Sequence, residues 1–98
     1  MARYDVFSNP GGGYVLDVQT DLLENLKTRV VVPLLSLDAA PIPAKRLNPV
    51  FELEGKAFVM ATQFMAAIPV SVLKEPAANL SPHHDEIVAA LDMVFHGF

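Results

Sequence analysis

Four residues of metal-ligating type stand together near the end of the chain: His83, His84, Asp85 and Glu86. Neighbours at a helix start point in different directions, and only His83 and Glu86 have the i, i+3 spacing to share an ion. No third ligand accompanies them, so the favoured reading is a polar first turn whose acids suit the positive end of the helix dipole. Asp17, Asp21 and Glu24 could supply paired acids, but Asp17 falls in a strand and the other two in the loop after it. Solvated side chains are expected there. Asn9-Pro10-Gly11-Gly12-Gly13 is glycine-rich enough to cradle a phosphate, yet a phosphate loop leads through Gly-Lys-Ser/Thr into a helix, and here Tyr14 opens a strand. Asp92 and His96 stand at i, i+4, where an ion pair would also suit the negative end of a helix. No catalytic residue, metal site or cofactor is expected from these groups.

The elements that must position them are few. Residues 3–7 and 14–18 read as short strands with aromatic and β-branched residues on either side of a turn cluster. The joining residues 9–13 form a flexible hairpin loop, since the glycines accept positive φ and Pro10 lacks a backbone donor. Residues 19–28 are polar at both ends around Leu22, Leu23 and Leu26, and read as a loop or a single helical turn. Arg29-Val30-Val31-Val32-Pro33-Leu34 is a continuous apolar run, as expected for a central strand covered on both faces.

Residues 38–49 carry Pro41, Pro43 and Pro49 and are expected to be irregular and extended. Residues 50–53 and 56–61 flank Glu54-Gly55, the clearest hairpin signal. Residues 69–73 predict one more strand, and residues 74–80 lead out of it through Pro76. Ser81 reads as an N-cap with Pro82 at the first helical position and Asp85 and Glu86 near the positive dipole end. Ile87, Ala90, Leu91, Val94, Phe95 and Phe98 keep helical spacing as a buried stripe, with Gly97 as C-cap. Met93 lies off that stripe and is expected to face a partner; Met60 and Met65 read as core or interface fillers. The helix is about 20 Å long.

Five or more strands and one terminal helix predict a single domain over residues 1–98, α+β and mainly β, with the C-terminal α-helix packed against a curved antiparallel sheet or small barrel. Seven Lys+Arg against eleven Asp+Glu give a net charge of -4, and only Lys45 and Arg46 are adjacent. Nucleic-acid affinity needs clustered cations, so a protein partner is favoured over DNA or RNA bound alone. The chain has no cysteine, so disulfides are excluded and the cytoplasm is the expected compartment. Neither a signal peptide nor a membrane span is expected. Hydrophobic residues make up 52% of the sequence, more than so small a core can hide, which predicts a homodimer.

Four blocks in order carry a resemblance: Leu16-Asp17-Val18-Gln19-Thr20-Asp21-Leu22-Leu23, then Arg29-Val30-Val31-Val32-Pro33-Leu34, then Ile68-Pro69-Val70-Ser71-Val72, and last Phe95-His96-Gly97-Phe98. Their sequence and spacing are similar to those of CcdB, a family of toxins from bacterial toxin-antitoxin pairs, over nearly the whole chain. The resemblance implies an SH3-like small barrel of antiparallel strands with a C-terminal α-helix, built from a barrel-like five-stranded antiparallel sheet and a small additional sheet, in a symmetric homodimer that is not an enzyme. It implies inhibition of DNA gyrase by binding the A subunit and trapping the cleaved-DNA complex. It also implies a partly disordered antitoxin that removes the toxin from gyrase and, with it, co-represses the operon, DNA being bound only through that complex.

The family's gyrase-facing positions fall on Leu22, Leu23, Asp92, Phe95, His96, Gly97 and Phe98. Antitoxin contacts are expected near Asn9, Pro10, Gly11 and Gly12 and, over the terminal helix, at Met93. Two departures stand out. The first hairpin loop is shorter and glycine-rich where the family carries charge, which implies an altered antitoxin choice. At the tip His96 replaces a tryptophan that stacks on a gyrase arginine, and Phe98 replaces an isoleucine. The alternatives are a toxin of the same fold aimed at another topoisomerase or protein target, and an RNA-cleaving toxin of the MazF and Kid type, which would need a cationic groove that this acidic chain lacks.

Overall fold

The computed structural model describes residues 2–9, 11–38, 40 and 43–97. Strands β1 (Asp5–Ser8), β2 (Tyr14–Asp17), β3 (Thr28–Ser36), β4 (Val50–Leu53), β5 (Lys56–Met60), β6 (Ala66–Pro69) and β7 (Pro76–Asn79) precede one helix, α1 (His84–His96). All pairings are antiparallel, in the order β4-β5-β3-β2-β1-β7, with β6 also on β3. The sheet curls into a half-barrel that α1 closes, the α+β small barrel expected.

β3 organises the sheet, as its unbroken apolar run predicts. Its first half takes β6, its second half takes β5, and β2 runs along the other side. Pro33 sits between the β6 and β5 pairings. Its carbonyl accepts from Ala61 N–H at 2.9 Å on that side, and because the N–H and C=O of one strand residue point the same way, its missing donor falls in the gap and weakens no bond to β2. The pleat then sorts side chains by parity. Val32 and Leu34 face α1 in the main core with Leu16, Phe51, Met60 and Ile87, whereas Val31 packs on the opposite face with Phe7 and Leu73.

Four expectations need correction. Residues 70–72 form a 3₁₀ turn, and the strand is Ala66–Pro69. The last rung pairs Pro69 with Thr28, where β3 begins, so the β-branched Val70 and Val72 have no neighbour to extend along and propensity loses to topology. Second, Pro76–Asn79 is a strand, an edge strand on β1 with a register shift between Val6 and Phe7. Its proline takes the first position of an edge, the place where a lost donor costs least.

Third, Ser81 is not a side-chain cap; a 3₁₀ turn (Ser81–His83) precedes α1. The capping group is Asn79, whose Oδ1 accepts from Ser81 N–H at 2.9 Å while its Nδ2 donates to Asp5 at 2.9 Å. Fourth, the buried stripe of α1 stops at Leu91. Ile87 and Ala90 are buried, but Val94 and Phe95 are exposed.

The hairpin over 54–55 forms as the sequence predicts, with both Glu54 (φ 51°) and Gly55 (φ 78°) left-handed, the conformation whose twist matches the flanking strands. The helix start is further held by the chain's beginning. Tyr4 is buried and left-handed (φ 74°); its hydroxyl hydrogen-bonds His84 Nδ1, and its ring meets the imidazole edge-on at 5.5 Å.

Candidate protein-binding surface

Two segments expose large apolar side chains at the positions singled out by the sequence. Residues 19–28 cross from β2 to β3 around a 3₁₀ turn (Asp21–Leu23), on which Leu22 is 91% exposed and Leu23 46%. The last turns of α1 expose Phe95 at 67%, with Asp92, His96 and Gly97 also exposed and Met93 half-buried. Gly97 ends the helix in the left-handed conformation (φ 79°), its N–H donating to Met93 O at 3.0 Å. Phe98 and Pro10 lie outside the described residues. At the other predicted contact region, Gly11 and Gly12 are exposed and Asn9 is half-buried. In this single chain α1 packs its Ile87 and Ala90 face on the main core with Leu16, Val32, Leu34, Phe51 and Met60, and its tip stays exposed.

Exposure of this kind is costly. Burying a leucine or phenylalanine is worth roughly 1.5–3 kcal/mol, which is what a partner that covered Leu22 and Phe95 would gain from each.

Beneath the Asp21–Leu23 turn lies a polar cluster that the sequence did not reveal. Asp17 was expected in solvent, yet it is fully buried and paired side-on with Arg29, Nε to Oδ2 at 2.7 Å and Nη2 to Oδ1 at 3.0 Å. Register explains the meeting. Asp17 lies opposite Val31, so Arg29, two residues along on the same face, is its diagonal neighbour. Arg29 Nη2 also donates to Gln19 O at 3.2 Å and lies 3.6 Å from Asp21 Oδ1. Burial pushes the Asp17 carboxyl above its ordinary value, against the bonds and charge of Arg29 and the Gln19 N–H. For Arg29, burial works against the guanidinium, but the bonds and charge of Asp17 and then Asp21 outweigh it and hold the proton more firmly. A buried charge must find its opposite; an aspartate between two apolar strand residues, with an arginine opening the next strand, was the available signal.

His83 and Glu86 do meet, at 3.1 Å. Among the described residues no group of three or more His, Asp or Glu side chains is placed to hold a metal ion.

A family model described as CcdB protein matches residues 3–97. The chain belongs to the CcdB family. It is therefore a toxin of the toxin-antitoxin kind, and a CcdB-family toxin acts through protein partners, in general a cognate antitoxin and gyrase. No helix among the described residues is long and apolar enough to cross a membrane.

Proposed function

We propose that this toxin inhibits DNA gyrase by binding its A subunit and trapping the enzyme on cleaved DNA, and that it works as a symmetric homodimer without catalysing a reaction itself. The contact surface is formed by Leu22 and Leu23 on one segment and Asp92, Phe95, His96, Gly97 and Phe98 on the other. The observation that carries this reading is the exposure of Leu22 and Phe95, large apolar side chains that each gain roughly 1.5–3 kcal/mol when a partner removes them from water. A partly disordered cytoplasmic antitoxin covers the toxin at Asn9, Pro10, Gly11, Gly12 and Met93, folding as it binds. Together they repress their operon, with DNA contacted only through the complex.

The test is purified gyrase with supercoiled plasmid and this protein. Accumulation of linear, protein-linked plasmid supports the reading. Intact plasmid from gyrase, with accumulation when another type II topoisomerase is substituted, moves the target to that enzyme; digestion of a structured RNA without any topoisomerase overturns the non-enzymatic mechanism.

A further inference from the structure

Residues 20–28 are all exposed, so no buried apolar side chain anchors the segment that carries Leu22 and Leu23. Up to Leu26 its own backbone bonds are local: Leu23 N–H to Thr20 O at 3.1 Å, Glu24 N–H to Asp21 O at 3.2 Å, and Leu26 N–H to Leu23 O at 3.1 Å; beyond the turn, Lys27 O accepts from Val70 N–H at 2.9 Å. Such bonds define a turn but not where the turn sits. Two side chains tie the turn to the rest of the fold: Asp21, whose Oδ1 accepts from Arg3 N–H at 2.8 Å and lies 3.6 Å from Arg29 Nη2, and Gln19. Gln19, itself buried, donates from Nε2 to Leu23 O and to Thr28 O, both at 3.3 Å, while its Oε1 accepts from Val30 N–H at 3.1 Å. A single carboxamide thus spans the turn, the end of the loop and the first rungs of β3.

Gln19 is held in turn. Its N–H donates to Asp17 Oδ1 at 3.0 Å and its carbonyl accepts from Arg29, so the buried ion pair sets the backbone from which the carboxamide reaches.

We infer that Gln19 is a positioning residue for target binding: its carboxamide, seated on the Asp17–Arg29 pair, holds the Asp21–Leu23 turn in the orientation that presents Leu22 and Leu23. The inference rests on the proposed contact surface, but its physical content does not. Without the carboxamide, Leu23 O and Thr28 O turn to water at little cost because both residues are exposed, while the half-buried Val30 N–H loses its acceptor and some stability goes with it. The segment, still held at Asp21 but released at Leu23 and Thr28, then samples more orientations, and binding must order it again.

The experiment compares Gln19→Met, which keeps the volume and loses every side-chain hydrogen bond, and Gln19→Glu with the wild type. Amide hydrogen exchange at residues 22–26 should rise at least tenfold in Gln19→Met while exchange in β1, β5 and α1 is unchanged, and gyrase inhibition should fall at least tenfold. Gln19→Glu should lose inhibition at pH 7.5 and regain part of it near pH 5, where a protonated carboxyl can again donate to one carbonyl. Unchanged exchange at residues 22–26 in folded Gln19→Met overturns the inference whatever the target is. Faster exchange with undiminished inhibition overturns it too, provided that Leu22→Asp abolishes inhibition. If Leu22→Asp inhibits like wild type, the contact surface itself is wrong, and Gln19 positions nothing for the target.

Discussion

The two loops flanking β2 are built on opposite plans. Residues 19–28 are fastened by side chains from below, the Gln19 carboxamide and the Asp17–Arg29 pair, and carry exposed leucines. In residues 9–13 the fastening is backbone and local: Asn9 N–H to Gly13 O at 3.1 Å, Gly12 N–H to Asn9 O at 2.8 Å, and Gly11 N–H to the Asn9 side chain at 3.2 Å. A surface that must fit a folded partner profits from being held in shape beforehand. A surface to be covered by a segment that folds on binding can leave the adaptation to its partner.

The largest effect expected comes from removing the buried support of the first loop. Asp17→Asn leaves Arg29 buried against a neutral partner and should cost about 3–5 kcal/mol, lowering the midpoint of thermal unfolding by on the order of 15 °C or more. The double change Asp17→Leu with Arg29→Met should cost less than the single one, because no orphaned charge remains. If Asp17→Asn unfolds like the wild type, the pair is not a foundation and the contrast between the loops fails.

The second loop should respond to its backbone alone. Gly13 is left-handed (φ 71°), and a Cβ there would lie 2.6 Å from Leu34 O, so Gly13→Ala should destabilise by roughly 1–3 kcal/mol. Gly11 has no positive φ and an added Cβ would make only ordinary contact with Asn9 at 3.8 Å. Gly11→Ala should be neutral or stabilise by up to about 1 kcal/mol. Chemical denaturation of both variants checks this; equal losses would mean that the loop is held by something other than the strain at Gly13.

A smaller effect sharpens the comparison at the helix tip. His96→Trp should strengthen gyrase inhibition by about 0.5–1 kcal/mol, a few-fold, by stacking on a target arginine, and should leave antitoxin affinity unchanged. Weakened inhibition would mean that the target presents an acidic or polar group there.

Most strands, the Glu54-Gly55 hairpin and the terminal helix were legible because alternation, turn residues and helical spacing are local properties. Pro76–Asn79 was not, since two alanines and a proline have no strand propensity and only the edge of β1 makes them one. Val70 and Val72 failed in the opposite sense, as strand formers with no strand beside them. For the candidate site, Leu22, Leu23 and Phe95 were reached through family resemblance, whereas periodicity alone would have buried Phe95. The Asp17–Arg29–Gln19 cluster was not reached, because a pairing between diagonal neighbours requires knowing the register of β2 on β3. Composition suggested solvated acids, and register put one of them under the loop.

In the proposed complex Leu22 and Phe95 anchor the toxin to gyrase, and the glycine loop does not. Titration of the purified gyrase A subunit with wild type, Leu22→Ala, Phe95→Ala and Gly11→Ala tests it most directly. Leu22→Ala and Phe95→Ala should each lose at least about 2 kcal/mol, roughly thirtyfold in affinity, and Gly11→Ala should bind as the wild type does. Equal affinities for all four proteins, or no binding of the wild type at micromolar concentration, would contradict the account.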